Sequence, residues 1–159
     1  MKNILGRSVA TNFDGTIVAV SKKNGYVHVF TKKEDKWILN SVINHEYGCT
    51  HSLSLSSDGL SIVMCIFKDY DNDTTDGCIV SYSRKKLNDE WKLISIRKVI
   101  EASEILKFGW DISLSKNGLT LYVGSTSKKG VNFIDVYSRP TVFSQWEIED
   151  EINIDNICK

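Results

Sequence analysis

One phrase recurs three times along this chain, and a chain that repeats itself builds a repeat architecture. The clearest copy runs from Phe108 to Gly124, Phe-Gly-Trp-Asp-Ile-Ser-Leu-Ser-Lys-Asn-Gly-Leu-Thr-Leu-Tyr-Val-Gly. It reads as strand, tight turn, strand, with apolar residues alternating with polar ones before the turn at Asn117-Gly118. Asn-Gly suits a two-residue hairpin in which both central residues take φ > 0, a conformation Gly adopts at no steric cost. Leu5-Gly6 leads in the same way to Asp14-Gly15 and a strand Thr16 to Val20, and Tyr47-Gly48 leads to Asp58-Gly59 and a strand Leu60 to Met64. Gly6 and Gly15 stand nine positions apart, as do Gly109 and Gly118, and the middle copy is two longer.

The stretches after each phrase also match. Tyr26 to Phe30, Cys78 to Tyr82 and Val131 to Tyr137 are β-branched and aromatic runs that each end on an aromatic. A polar loop follows, Thr31 to Lys36 in the first copy, and then a strand opening on Trp37, Trp91 or Trp146. Tyr82 to Trp91 and Tyr137 to Trp146 are both nine positions. An aromatic fixed at one point of every repeat fills the same gap between repeats. The repeats span about 4–44, 45–104 and 105–159 of a single repeat domain. Leu60 to Phe67 is a nearly continuous apolar run, as a strand covered on both faces requires. Lys98 to Lys107 has a helical tone and reads as a linker with room for one helical turn.

Four short antiparallel strands per repeat describe a β-propeller blade. Phe108-Gly109, a Gly-containing turn, an apolar strand ending at Val123-Gly124, a third strand ending in Tyr137 and a later Trp146 resemble the FG-GAP family of propeller repeats. The fold class expected is therefore all-β, with three four-stranded antiparallel blades. Propellers close with about four to eight blades, so three imply completion of the ring by oligomerisation. The alternative is a β-trefoil, which also has three four-stranded repeats and closes as a monomer.

A chain of 159 residues can bury a core without staples. Its 20 Lys and Arg balance its 20 Asp and Glu, which removes the field that would draw nucleic acid or an anionic membrane. No apolar run approaches the roughly 20 residues that span a bilayer. No signal peptide is read at the start. Cys49, Cys65, Cys78 and Cys158 lack CxxC spacing, and Cys65 and Cys78 read as small core residues in a reducing compartment, cytoplasmic or within a virion. Abundant Lys, Asn and Ile suggest an AT-rich viral or bacterial genome.

The acidic run from Asp69 to Asp76 places oxygen ligands at alternating positions, which makes Asp69, Asp71, Asp73 and Asp76 a candidate Ca²⁺ loop, although Thr74 stands where such loops turn on Gly. His28 reads as a packed strand residue beside Tyr26 and Phe30, and His45, Cys49 and His51 lie in or near one loop. The pairs Lys22-Lys23, Lys32-Lys33, Lys85-Lys86 and Lys128-Lys129 would form a basic rim if stacked. No convergent acid–base pair, phosphate loop or nucleophile motif is visible, so the expected function is non-enzymatic: a protein-interaction or assembly module that binds protein partners, itself among them. The alternative is a carbohydrate-binding module in which Trp37, Trp91 and Trp146 stack on sugars.

Overall fold

The computed structural model describes residues 5–22, 25–67, 77–98 and 105–156. They form three antiparallel sheets, taken up one after another along the chain. Blade one holds β1 (Leu5–Thr11), β2 (Ile17–Lys22), β3 (Tyr26–Lys33) and β4 (Lys36–Asn44) in the order β1-β2-β3-β4. Blade two holds β5 (Cys49–Leu55), β6 (Ser61–Phe67), β7 (Gly77–Ser83) and β8 (Lys92–Lys98) in the same order. Blade three holds β9 (Ile105–Lys107), β10 (Ile112–Leu114), β11 (Thr120–Ser127), β12 (Asn132–Ser138) and β13 (Glu147–Asn153), in the order β10-β11-β12-β13 with β9 also on β11. The architecture is therefore three separate meanders, and the trefoil alternative is set aside. Ile105 to Lys107, part of the stretch with helical tone, is strand.

The turn after the first strand is the same object three times. Asn12, Ser56 and Ser115 each donate their N–H to the carbonyl five residues on, at Ile17, Ser61 and Thr120. Their side-chain oxygens accept the amides of those same residues at 2.8–2.9 Å. Asp14, Asp58 and Asn117 accept the amide two residues on, which is the Asx turn. Only the glycine is left-handed, with φ near +70° at Gly15, Gly59 and Gly118. Asn117 is not, so the expected two-residue turn with two positive φ values is replaced by a four-residue loop. The side-chain acceptors stabilise it, since they satisfy amides that a tighter turn would pair with backbone. A bulge also recurs, between Val29 and Phe30, Ser81 and Tyr82, and Val136 and Tyr137 of the third strands. Thr31 to Lys36, expected as a loop, is the tip of a hairpin in which Lys33 pairs with Lys36.

These registers align the blades residue by residue. Val18 pairs with Phe30, Ile62 with Tyr82 and Leu121 with Tyr137; Ile62 and Tyr82 point toward blade one, Leu121 and Tyr137 toward blade two, and Val18 and Phe30 occupy the equivalent face of blade one. The next residue on each strand points toward the following blade. Ile17, Ala19, Val27, Val29 and Ile43 of blade one therefore pack on Leu53, Leu55, Ile62, Met64, Val80 and Tyr82 of blade two. The far side of blade two, Val63, Cys65 and Ile79, packs on Phe108, Ile112, Leu121, Val123, Tyr137 and Trp146 of blade three. Sandwiching both faces makes Ile62, Val63, Met64, Cys65 and Ile66 buried in succession, as the continuous apolar run required.

Close approach of blades makes Gly109 critical. A Cβ on Gly109, whose φ is +60°, would stand 2.5 Å from Cβ and Sγ of Cys65 in the preceding blade. Gly130 has φ +81° but open space around it. Gly130→Ala should cost about 1 kcal/mol of backbone strain, whereas Gly109→Ala should cost about 2–4 kcal/mol once overlap is added. Urea midpoints of the two variants would check the order, and equal shifts would contradict it.

Candidate interaction surface

Each internal interface is built from the same parts. In blade two Arg84 Nη2 donates to the Gly59 carbonyl at 3.2 Å, Nη1 reaches back to Asn40 Oδ1 of blade one at 2.9 Å, and the guanidinium lies 4.3 Å over Trp91. In blade three Arg139 Nε donates to the Gly118 carbonyl at 2.9 Å, Nη2 reaches back to Ser61 Oγ of blade two at 2.7 Å, and the guanidinium lies 4.2 Å over Trp146. A buried cation on an indole face contributes about 2 kcal/mol where it is desolvated. Burial lowers the Arg139 pKa to about 10, so it remains charged at neutral pH. Trp91 Nε1 donates to Ser41 Oγ of blade one at 3.0 Å. The recurring Tyr-Ser-Arg at 82–84 and 137–139 is the signal for these arginines, and the sequence reading passed over it in favour of the flanking aromatics.

The innermost strands add backbone steps between blades. Phe13 N–H donates to the Ser57 carbonyl at 3.1 Å, and Ser57 N–H to the Lys116 carbonyl at 3.2 Å, so the three equivalent turns form a staircase. Ser8 Oγ accepts the Leu53 amide, and Ser54 Oγ accepts the Leu114 amide. Phe13, Asp14, Ser57, Asp58, Ser115, Lys116 and Asn117 surround an open depression of about 610 Å³ where these turns converge. At the other end of the inner strands, His51 packs on Trp110 with ring centres 5.0 Å apart, and Lys107 Nζ lies 4.3 Å over the Trp110 ring.

Blade one carries the equivalent apolar positions on its corresponding face, and no blade among the described residues covers them. Trp37, equivalent to Trp91 and Trp146, is 49% exposed where Trp146 is 1% exposed. Val9, equivalent to Leu53 and Ile112, is 55% exposed against 4% and 7%. Val18, Val20 and Phe30 are half-buried where their counterparts in blade two are buried. Lys32 stands in the place of Arg84 and Arg139. The opposite end is bare as well. Tyr122 is 42% exposed where its equivalent Val63 is fully buried. That face holds a depression of about 420 Å³ lined by Thr120, Tyr122, Val136, Glu149, Asp150 and Ile152.

The other residues singled out in the sequence fall elsewhere. Asp69, Asp71, Asp73 and Asp76 lie outside the described residues, as does Lys23. No group of three or more His, Cys, Asp or Glu among the described residues could hold a metal ion. His45 is buried against Thr50 Oγ1 at 2.8 Å, and burial lowers its pKa to about 4. His28 stacks on Phe30 at 6.4 Å on the bare face of blade one. Cys65 is buried, which raises its thiol pKa, and Cys78 is half-buried. The lysine pairs do not form one rim. Lys128 and Lys129 sit between second and third strands, whereas Lys32 and Lys33 end β3 and Lys85 and Lys86 follow β7, at the opposite end. Of the three repeat-marking Trp residues, Trp91 and Trp146 are covered by stacked arginines, and only Trp37 presents its ring.

The solved structures with this shape are propeller-type. The chain superposes on Sqt1 of Saccharomyces cerevisiae with TM-score 0.65 at 15% identity, covering 92% of this chain and 34% of that one. It superposes on the WD40 domain of Toxoplasma gondii coronin with TM-score 0.62 at 9% identity, covering 92% and 34%. A candidate 6-phosphogluconolactonase of Bacteroides uniformis gives TM-score 0.67 at 13% identity, covering 95% and 41%. The three sheets are propeller blades. The chain spans between a third and a half of the length of these structures. No family model and no curated protein matches it. No helix among the described residues is long and apolar enough to cross a membrane.

Two predictions follow from the interfaces. Arg139→Lys cannot reach both acceptors while stacking on Trp146 and should cost about 2 kcal/mol in urea melts, whereas Lys32→Ala should stay within about 0.5 kcal/mol. Asp135 faces blade two at the position of Val80, and burial, with Glu151 nearby, raises its pKa to about 6. The folded state therefore takes up its proton before the unfolded chain does, and this residue adds stability as pH falls from 7 towards 4. His45, whose pKa is lowered, has the opposite sign over the same window. Asp135→Asn should thus lose stability more steeply on acidification than the wild type, and parallel profiles would contradict this.

Proposed function

We propose that this chain is a non-enzymatic protein-interaction and assembly module built of propeller repeats, and that its partners include further copies of itself. The observation that carries this is the bare face of blade one. Val9, Val18, Val20, Phe30 and Trp37 stand at positions that blades two and three use for packing on the blade before them. Covering half-exposed apolar side chains contributes about 1 kcal/mol each, enough in sum to drive association. The titratable groups of the described residues also support it. His45 braces Thr50, His51 packs on Trp110, and Arg84 and Arg139 join neighbouring blades. Among the neighbours, a WD40 domain fits such a role, and the lactonase-like one, at 13% identity, carries no substrate to this chain.

Phe108, buried beside Gly109, supports kinship with FG-GAP repeats, because the small residue lets the chain pass Cys65 of the neighbouring blade. The thiols of Cys49 and Cys65 suit a reducing compartment, and we place the protein in the cytoplasm or within a virion.

Hydrogen–deuterium exchange in dilute solution, in concentrated solution and with cell extract tests the interaction role. Protection should rise in β1 to β3 as the blade-one face is covered. Exchange there that stays unchanged in all three conditions would remove the basis for this function.

A further inference from the structure

The two bare faces are the two halves of the interface already made twice inside the chain. On the interaction role above, we infer that a second copy of this chain covers them: blade three of each protomer packs on blade one of the other, and two chains of three blades close a six-bladed ring. Superposing repeat positions names the contacts. Trp91 donates to Ser41, which pairs with Val29, and the corresponding partner of Val136 is Asp150. Trp37 Nε1 of one protomer therefore donates to the Asp150 carboxylate of the other. Arg84 reaches back to Asn40, the bulged residue of β4, and the bulged residue of β13 is Glu149. Lys32 of one protomer therefore pairs with Glu149 of the other.

The inner strands continue in the same register. The staircase that runs from Phe13 to Ser57 to Lys116 takes its next step from Lys116 N–H to the Phe13 carbonyl of the second copy. Ser54 Oγ accepts the Leu114 amide, and its equivalent Ser113, exposed in blade three, would accept the Thr11 amide of the second copy. Trp37 would enter the depression lined by Tyr122, Glu149 and Asp150.

Charge selects this pairing over its rivals. Among the described residues, the bare face of blade one carries Lys22 and Lys32 and no carboxylate at its paired positions, whereas the depression on the bare face of blade three is lined by Glu149 and Asp150 and by no cation. Blade one against blade one would oppose lysines, and blade three against blade three would oppose carboxylates, each with a cost in the free energy of association. The contact is heterologous, so it generates a closed ring only if the rotation per chain is half a turn.

Light scattering on wild type and charge-swap variants tests this. Wild type should show twice the chain mass in concentrated solution. Lys32→Glu alone and Glu149→Lys alone should each weaken self-association at least about tenfold, because each sets like charges face to face. Both residues are exposed in the single chain, so circular dichroism should show folded monomers. Mixing the two variants should restore the dimer, since one interface is then wild type and the other carries the reversed pair. Trp37→Ala should also give a monomer. A wild type that stays monomeric, a mass of three or more chains, or a mixture that fails to recover would overturn the inference. If the wild type is monomeric but exchange in blade one still falls in cell extract, a different protein covers the face and the interaction role stands without self-closure.

Discussion

A four-stranded antiparallel sheet with apolar side chains on both faces must have both faces covered, and everything else in this molecule depends on that. Blade two meets the requirement in its two central strands. Ile62, Met64 and Val80 bury against blade one, and Val63, Cys65 and Ile79 against blade three, with no exposure above 1%. The end blades meet it on one face only. An edge-free fold would leave no such imbalance, and a propeller removes it by joining its last blade to its first.

The polar devices between blades refine what apolar packing makes favourable. Arg84 and Arg139 each tie a turn glycine carbonyl of their own blade to a side chain of the blade before, while lying flat on a Trp. Guanidinium suits the place because it is planar and offers several donors at fixed angles, so it can stack and bond in one position. Blade one carries Lys32 there, whose ammonium has no flat face to stack. Serines at 61, 81, 83 and 95 fill the far side of blade two, where Ser61 bonds Ser83 and Ser81 bonds Ser95. Small hydroxyl side chains let the sheets approach while pairing their polar atoms.

The same geometry separates packing from recognition. Three Trp residues at one repeat position suggest either a core column or a row of sugar platforms. The burial of Trp146 and the arginine over Trp91 favour the core column, and they turn the exposure of Trp37 into a statement about what lies next to it. Asp135 shows the cost of departing from the pattern. It stands where blade two has Val80, and burial lifts its pKa to about 6.

Repeat number, strand order and the places of the aromatics were legible in the residues, because alternation, turn glycines and Trp spacing are local properties of a strand and its hairpin. The turn conformation was misread: Asn117 keeps an ordinary φ because its side chain, which composition does not position, accepts the Leu119 amide. Arg84 and Arg139 were passed over because an arginine after a serine looks the same whether it points to water or into an interface. What the sequence by itself determined is the blade. What only the tertiary structure decided is which face of each blade is covered, because equivalent residues such as Trp37 and Trp146 differ in exposure solely through the presence or absence of a neighbouring sheet.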